Sequence, residues 1–430
     1  MYIIYDDIFL KHNTGQSHPE NPLRLLSIID KINKIYDKKV NSFNLKFVKP
    51  IIVDERVIFE VHDKNYLEKV KLLSQKLLSK PDNFYYLDPD TVVSGHTYEC
   101  ALFAAGACQK GIDLIFENKG ENFFAIIRPP GHHAFKDKGT GFCIFNNIAI
   151  AAKYAINNYN IERVAIIDFD VHHGNGTQDI FYESNNVFYI SLHQYPHYPG
   201  SGYYTEVGDK EGKGFNLNIP LTPFSEEVDY LFAFIELILP ALLKYKPQLI
   251  LVSAGYDAHE DDYLSSINLS SISYYKIASL INIIHYITSD TSNNLKIDNY
   301  EKNRNDYKED KISTFNKKIT NSKNLGVGLV LEGGYNLQSL SESVVKTIEG
   351  IEIFNSEVEL KNAELNRVDK FDKLDKLDKL SKLSKLYKLG KLDILKSTLK
   401  DIFLTNLSGG FSPNKQNKAT FDEIKKIFLL

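Results

Sequence analysis

Three observations predict an α/β fold with a mainly parallel central sheet and helices on both faces. Four short β-branched apolar runs recur along the chain, stretches of helical period separate them, and each run ends in Gly-rich polar text. Strands buried on both faces read as near-continuous apolar runs, and parallel neighbours need long, usually helical crossovers.

In chain order, the first run is "FFAII", 123–127, leading into "RPPGHHA". The stretch "NNIAIAAKYAINNY", 146–159, is predicted as a helix, and "RVAIIDF", 163–169, as the strand that runs into "DVHHGNG". Because "VDYLFAFIELILPALLKY", 228–245, is apolar nearly all round, it predicts a helix buried against the sheet and not a membrane span. "QLILVSAG", 248–255, precedes "YDAHEDD", and "GVGLVLEGG", 326–334, precedes "YN".

Two regions break this rhythm. Residues 288–324 are rich in Asn, Lys and Asp and read as a solvated insertion, dispensable for chemistry. In 369–395 leucines recur every third position from Leu374 to Leu392. A period of three turns each leucine back by about 60°, so they spiral and form no single seam; the segment reads as a low-complexity helix or linker. Residues 396–430 are apolar enough for a terminal helix or two. The organisation read here is a catalytic domain over 1–352 and an extension over 353–430.

Composition excludes several function classes. A chain of 430 residues with 43% hydrophobic content can bury a large core, and a formal charge of −4 offers no basic excess to recruit nucleic acid or an anionic membrane. Cys100, Cys108 and Cys143 form no CxxC pair, which argues against a disulfide framework and a thiolate zinc site and fits a reducing compartment. "MYIIYDDIFLKHNTG" is too weakly apolar for a signal peptide, and no apolar run reaches about 18 residues, so a soluble, cytoplasmic protein is expected.

The chemistry lies at the strand ends, which carry His132, His133, Asp168, Asp170, His172, His173, Asp257 and Tyr335. In open parallel sheets the carboxyl ends of the strands gather along one edge and form the binding crevice. Asp170 and His172 are two apart, so in extended backbone their side chains lie on one side and can grip one ion. Asp257, from another strand end, could complete the set. Two carboxylates and one imidazole suit zinc or ferrous iron and leave a position open for water. His132 and His133 are then available as acid and base, and Tyr335 offers a hydroxyl to a developing oxyanion. Together these groups describe hydrolysis of an amide or ester by a metal-activated water.

"RPPGHHA", "GFCIFNNIAIAA", "IIDFDVHHGNGTQDIF", "ISLHQYPHYPGSG", "SAGYDAHEDD" and "LEGGYN", in that order, resemble the motif series of the histone deacetylase family. That family includes bacterial deacetylase-like amidohydrolases and acetylpolyamine amidohydrolases. The resemblance runs from about residue 1 to 352, outside the insertion, and implies the three-layer arginase/deacetylase fold. It places the zinc ligands at Asp170, His172 and Asp257, the tandem histidines at His132 and His133, and the transition-state tyrosine at Tyr335. It also implies that Asp168 orients His132, that Asn175 holds His133, and that Gly141, Phe142 and Tyr198 wall the acyl-lysine tunnel. Tyr198 is a departure, since the family commonly has Phe there. Asp90 matches the rim carboxylate and Arg24 the arginine of the inner acetate channel. A structural potassium ion is implied at Asp168, Asp170, His172, Ser191 and Leu192.

Neutral Asn175 gives less support to an imidazolium than Asp would, which favours His133 as general base. Asn175 and "RPPGHHA" resemble the class II branch. The other histidines, including His18, His193 and His197, need not be ligands, and Cys143 reads as a small packing group. The expected substrates are acetylated lysine side chains or acetylated polyamines. A non-catalytic relative is the alternative from another class, and an arginase-like dimanganese hydrolase fits the DxDxHH order poorly.

Overall fold

The computed structural model describes residues 1–36, 45–80, 82–117, 122–292, 326–352, 383, 386, 388, 390–404 and 412–430. The first half of the chain forms β1 (Tyr2–Ile4), α1 (Leu23–Tyr36), β2 (Lys46–Val48), α2 (Glu55–Ile58), α3 (Lys64–Leu77), β3 (Tyr85–Tyr86), β4 (Val92–Val93), α4 (Thr97–Glu117), β5 (Phe123–Ala125) and α5 (Asn147–Tyr159). Then come β6 (Val164–Asp168), α6 (Asn175–Phe181), β7 (Val187–Gln194), β8 (Asn216–Leu221), α7 (Glu227–Ala233), α8 (Leu239–Tyr245), β9 (Leu249–Ala254) and α9 (Ser271–Ser292). The chain closes with β10 (Val327–Leu331), α10 (Leu337–Glu352), α11 (Leu392–Leu404) and α12 (Lys415–Phe428).

Eight strands form one parallel sheet in the order β2, β1, β5, β10, β9, β6, β7, β8. The four apolar runs legible in the sequence are its contiguous centre. Every residue of β5 to β10 is buried, so both faces are covered. One group of helices packs α4 on α5, and another packs α10 between α1 and α9, giving the three-layer α/β arrangement. Asp168 is level with Ser253, and Leu331 with Ala254, so the carboxyl ends of β6, β9 and β10 open at one height.

Local chemistry explains the helix boundaries. Asn146 caps α5 by accepting from Ala149 N at 3.1 Å, and Asn160 ends it in the left-handed region at φ 55°. The apolar segment 228–245 is not one continuous α-helix: a π turn at Phe234–Ile238 separates α7 from α8. Pro240 lacks the N–H that an unbroken helix would donate to the carbonyl of Glu236, and the π turn absorbs that defect. Most of the segment is buried, with Val228, Phe232 and Glu236 partly exposed and Lys244 exposed, and no described helix is long and apolar enough to cross a membrane.

Helix α9 continues to Ser292, five residues into the 288–324 stretch, and Thr288 is buried in it with Oγ1 donating to Ile284 O at 2.9 Å. Residues 293–324 of the expected insertion lie outside the described residues, as does most of the 369–395 repeat. The last two helices join the main core. Leu395, Leu399, Leu404, Phe421 and Ile424 are buried in it, and Glu236 on the π turn pairs with Lys396, Lys400 and Lys425 at 3.4, 2.6 and 2.7 Å. All three cysteines are buried and unpaired.

Candidate active site

After Phe169, whose N still donates to Ser253 O at 3.2 Å, the backbone of β6 leaves the ladder and acidic side chains accept its next N–H groups. Asp168 Oδ1 accepts from Asp170 N at 3.2 Å, and Asp170 Oδ1 from His172 N at 2.9 Å. This local capping is a physical reason for acids at alternate positions where a strand stops. The neighbouring loops tie in the same way. Val171 N donates to Asp257 Oδ1 at 3.0 Å, and Gly333 N to Asp170 Oδ2 at 2.8 Å.

The result brings Asp170, His172 and Asp257 together, with one donor atom of each within 4.8 Å of the others. His172 Nδ1 lies 3.1 Å from Asp170 Oδ1 and 3.1 Å from Asp257 Oδ2. The packing leaves no room for a larger backbone residue: a Cβ at Gly255 would fall 2.0 Å from Asp170 Oδ2. Burial works against the charge on Asp170, yet His132 and His172 hold it well below the usual carboxylate range; burial and the charge of Asp170 raise Asp257. For His172 burial opposes the imidazolium, but the two carboxylates override it and lift the ring to about 10. Two buried carboxylates around one imidazole thus call for a positive charge between them. A divalent cation meets that demand in place of the proton, and the O, O, N donor set suits zinc or ferrous iron.

The tandem histidines sit beside this cluster with different partners. His132 Nδ1 donates to Asp168 Oδ2 at 3.1 Å, which also accepts from the Tyr189 hydroxyl at 2.9 Å, and His132 Nε2 lies 3.9 Å from Asp170 Oδ1. Burial disfavours its charge, but Asp170 and Asp168 raise it to about 10. His133 Nδ1 instead meets Asn175 Oδ1 at 2.8 Å. Burial, then the charges on His132 and His172, lower His133 well below the usual imidazole value. With Nδ1–H given to Asn175, the neutral ring carries its free lone pair on Nε2.

Tyr335 is 8% exposed, and burial followed by Asp257 pushes its phenol well up, so it stays a neutral donor. Its backbone N–H donates to Asp262 Oδ2 at 2.6 Å, and its ring meets Phe142 edge-on at 5.8 Å. Phe142 adopts φ 69°, rare for an aromatic residue, and is held by Phe142 N donating to Thr91 Oγ1 at 3.0 Å. Gly141 has φ 54°, and a Cβ there would strike the His133 ring at 2.5 Å. Tyr198 is 42% exposed and meets His133 edge-on at 5.2 Å. Asp90 is half-buried, raised to about 6 by burial and then by Asp88, and its Oδ1 has no partner among the described residues.

Arg24 lies entirely inside the protein. It donates from Nε to Gly334 O at 2.6 Å and from Nη2 to Glu332 O at 2.5 Å, and its guanidinium sits 5.0 Å from the Tyr335 ring centroid. Glu20 binds both Arg24 and Arg128; burial opposes its charge, but Arg128 and Arg24 hold it down at about 2. Of the remaining positions, Ser191 Oγ bonds His193 Nδ1 at 2.9 Å, and Leu192 is buried on β7.

Sequence reasoning did not single out Glu20, Arg128, Tyr189, Glu332 or Asp262. Glu332 Oε2 accepts from Gly131 N at 2.7 Å and His132 N at 3.2 Å, so it fixes the turn that carries the histidines. An acid at the very end of an apolar strand, as at Asp168, was the signal available for it. His132, Cys143 and Glu332 also form a buried cluster within 4.8 Å, but the carboxylate of Glu332 is already engaged and burial pushes the Cys143 thiol well up. His197, read as an ordinary histidine, stacks on His172 with centroids 5.0 Å apart.

Comparison with known proteins gives a consistent result. Residues 18–296 match the histone deacetylase domain family. "Histone deacetylase 14, chloroplastic" of Arabidopsis thaliana is 33% identical over 349 residues, covering 80% of this chain and 74% of that protein. "Histone deacetylase-like amidohydrolase" of Pseudomonas aeruginosa is 36% identical over 266 residues, covering 61% and 66%. The crystal structure of the HDA15 HD domain superposes with a TM-score of 0.69 at 27% identity, covering 93% of this chain and 98% of that one. Motif order, sheet topology and these likenesses agree: the chain belongs to the histone deacetylase family and is a hydrolytic deacetylase.

Proposed function

We propose that this deacetylase is zinc-dependent and removes the acetyl group from acetyl-lysine side chains, releasing acetate and the free amine. The observation that carries the reading is the meeting of Asp170, His172 and Asp257 donor atoms within 4.8 Å, beside the His132–His133 pair. Asp170, His172 and Asp257 would hold the ion, with ferrous iron as the alternative metal. When bound, such an ion supplies Lewis-acid polarisation of the amide carbonyl and of the attacking water.

The chain's own groups supply the rest. His133, kept neutral and with Nε2 free, takes the proton from water and passes it to the departing amine nitrogen. His132, its Nδ1 bonded to Asp168 Oδ2 at 3.1 Å, is held beside the reacting carbonyl. The Tyr335 hydroxyl donates to the carbonyl oxygen as it gains charge, and Arg24 holds the backbone at Glu332 and Gly334 that carries it. Gly141, Phe142 and Tyr198 line the passage for the lysine stem, and the unpartnered Asp90 Oδ1 offers an acceptor to an incoming N–H. A potassium ion is proposed at Asp168, Asp170, His172, Ser191 and Leu192. The unpaired, buried cysteines support a reducing, cytoplasmic setting, and the formal charge of −4 supports a substrate other than nucleic acid.

Matched panels of acetyl-lysine peptides and acetylpolyamines, followed by acetate release from zinc-loaded enzyme, test the substrate class. Peptides are expected to turn over with the higher kcat/KM. A strong preference for acetylpolyamines would replace acetyl-lysine with that substrate, and no release from either panel would favour a binding protein.

A further inference from the structure

We infer that Asn417, on the final helix of the chain, is a positioning residue for the metal centre. The inference rests on the reading of Asp170, His172 and Asp257 as that centre.

After β9 the chain runs from Gly255 to Ser270 as a loop without a regular strand or helix; internal bonds such as Glu260 N to Leu269 O at 2.8 Å and Leu269 N to Ala258 O at 3.1 Å are supplemented by bonds to neighbouring segments. Two contacts connect it to the site. Ser265 Oγ donates to Asp257 O at 2.6 Å, and His197, whose ring stacks on His172, donates from Nε2 to Leu264 O at 2.9 Å. Two others connect it to the turn that follows β8: Phe224 N donates to Ser266 O at 2.6 Å, and Asn268 N to Ser225 O at 2.9 Å. The 222–225 turn is therefore one support of the loop that carries Asp257, beside Gln194, whose Oε1 accepts from Ser266 N at 2.7 Å.

That turn is strained. Phe224 adopts φ 64° while its side chain is 72% exposed, so packing does not hold it there. A large residue in the left-handed region costs about 1–3 kcal/mol and persists only when its surroundings fix it. Asn417 bonds both ends of the turn from outside: Oδ1 accepts from Thr222 N at 3.0 Å and Nδ2 donates to Ser225 Oγ at 2.7 Å, while Asn414 Nδ2 adds a bond to Thr222 Oγ1 at 3.2 Å. The residue is fully buried, and only a side-chain amide offers this acceptor and donor from one position. Removing it deprives the part-buried Thr222 N–H of this acceptor. The helix itself has separate anchors in Phe421, Ile424 and the Lys425–Glu236 pair. Asn417 thus acts on the turn more than on the docking of α12.

The test is the rate at which the zinc-loaded full chain yields its metal to a chromophoric chelator, below the unfolding range of every variant. Asn417→Ala is expected to release zinc about fivefold faster than wild type, less than the roughly ten- to hundredfold typical of groups bonded directly to ligands. Ser265→Ala is expected to do at least as much. Phe421→Ala, which loosens the same helix through packing, is expected to lower Tm with little change in release rate. Asn417→Asp keeps the Thr222 acceptor but loses the donor to Ser225, and must shift the rate in the same direction if Asn417→Ala does not fold. Zinc release from the Asn417 variants at the wild-type rate, or matched by Phe421→Ala at equal loss of Tm, overturns the inference. A wild-type chain that takes up no zinc overturns the metal-centre reading, and the inference with it.

Discussion

His133 Nδ1 lies 2.8 Å from Asn175 Oδ1, so the second of the tandem histidines is held by a neutral amide, while its neighbour His132 is held by the carboxylate of Asp168. Burial and nearby positive charge keep His133 below its usual range, and Asn175 adds no negative charge to reverse this. Asn175→Asp supplies that charge, favours the imidazolium and raises the pKa. A base must be neutral to accept a proton, so the acid limb of the kcat/KM profile moves to higher pH, by about 1–3 pH units. An unmoved acid limb would remove His133 from the role of base.

Tyr335 touches the reaction only through its hydroxyl. Tyr335→Phe is expected to keep the bound metal and the fold while lowering kcat about 10²–10³-fold, the loss seen when one oxyanion donor is removed. Steady-state kinetics with metal analysis check this, and an unchanged kcat contradicts it.

Gly255 is required by space. In Gly255→Ala the added Cβ must displace the Asp170 carboxylate, which otherwise lies 2.0 Å away. Folded protein with sharply reduced zinc per chain is expected, read by metal analysis beside circular dichroism. Full zinc content would show that the carboxylate can yield without loss of the site.

Glu236 binds three lysines of the last two helices, and although burial opposes its charge, Lys400, Lys425 and Lys396 hold it down at about 2. Because the folded value lies below the unfolded one, this contribution is fully present above about pH 4.5 and is lost as pH falls toward 2. Glu236→Gln should lower Tm and expose α11 and α12 to protease at pH 7, with the gap to wild type closing below about pH 4.5. A gap that stays constant as the pH falls would assign the effect to packing.

The centre of the fold was legible because β5, β10, β9 and β6 are nearly continuous apolar runs. Strands β1 and β2 are only three residues long, and β7 and β8 carry His193, Gln194, Asn216 and Asn218, which break the apolar pattern. Asn216 and Asn218 are buried against Gln178, where both side chains donate to one amide oxygen, and no local pattern announces such a network. At the site, the spacing of Asp170 and His172 was visible within three residues. Arg24 and Gly334 are 310 positions apart, and only the sheet topology brings them together. Asn417 was invisible for the same reason.

The central claim is that Asp170, His172 and Asp257 jointly hold one divalent cation required for hydrolysis. The most direct measurement strips the purified enzyme with chelator, titrates zinc back, and follows bound zinc and acetate release together in wild type and Asp257→Ala. Activity returning in proportion to about one zinc per chain in wild type, with almost none bound by Asp257→Ala, is the predicted result. Full acetate release by the stripped wild type, or one tightly bound zinc in Asp257→Ala, would contradict the claim.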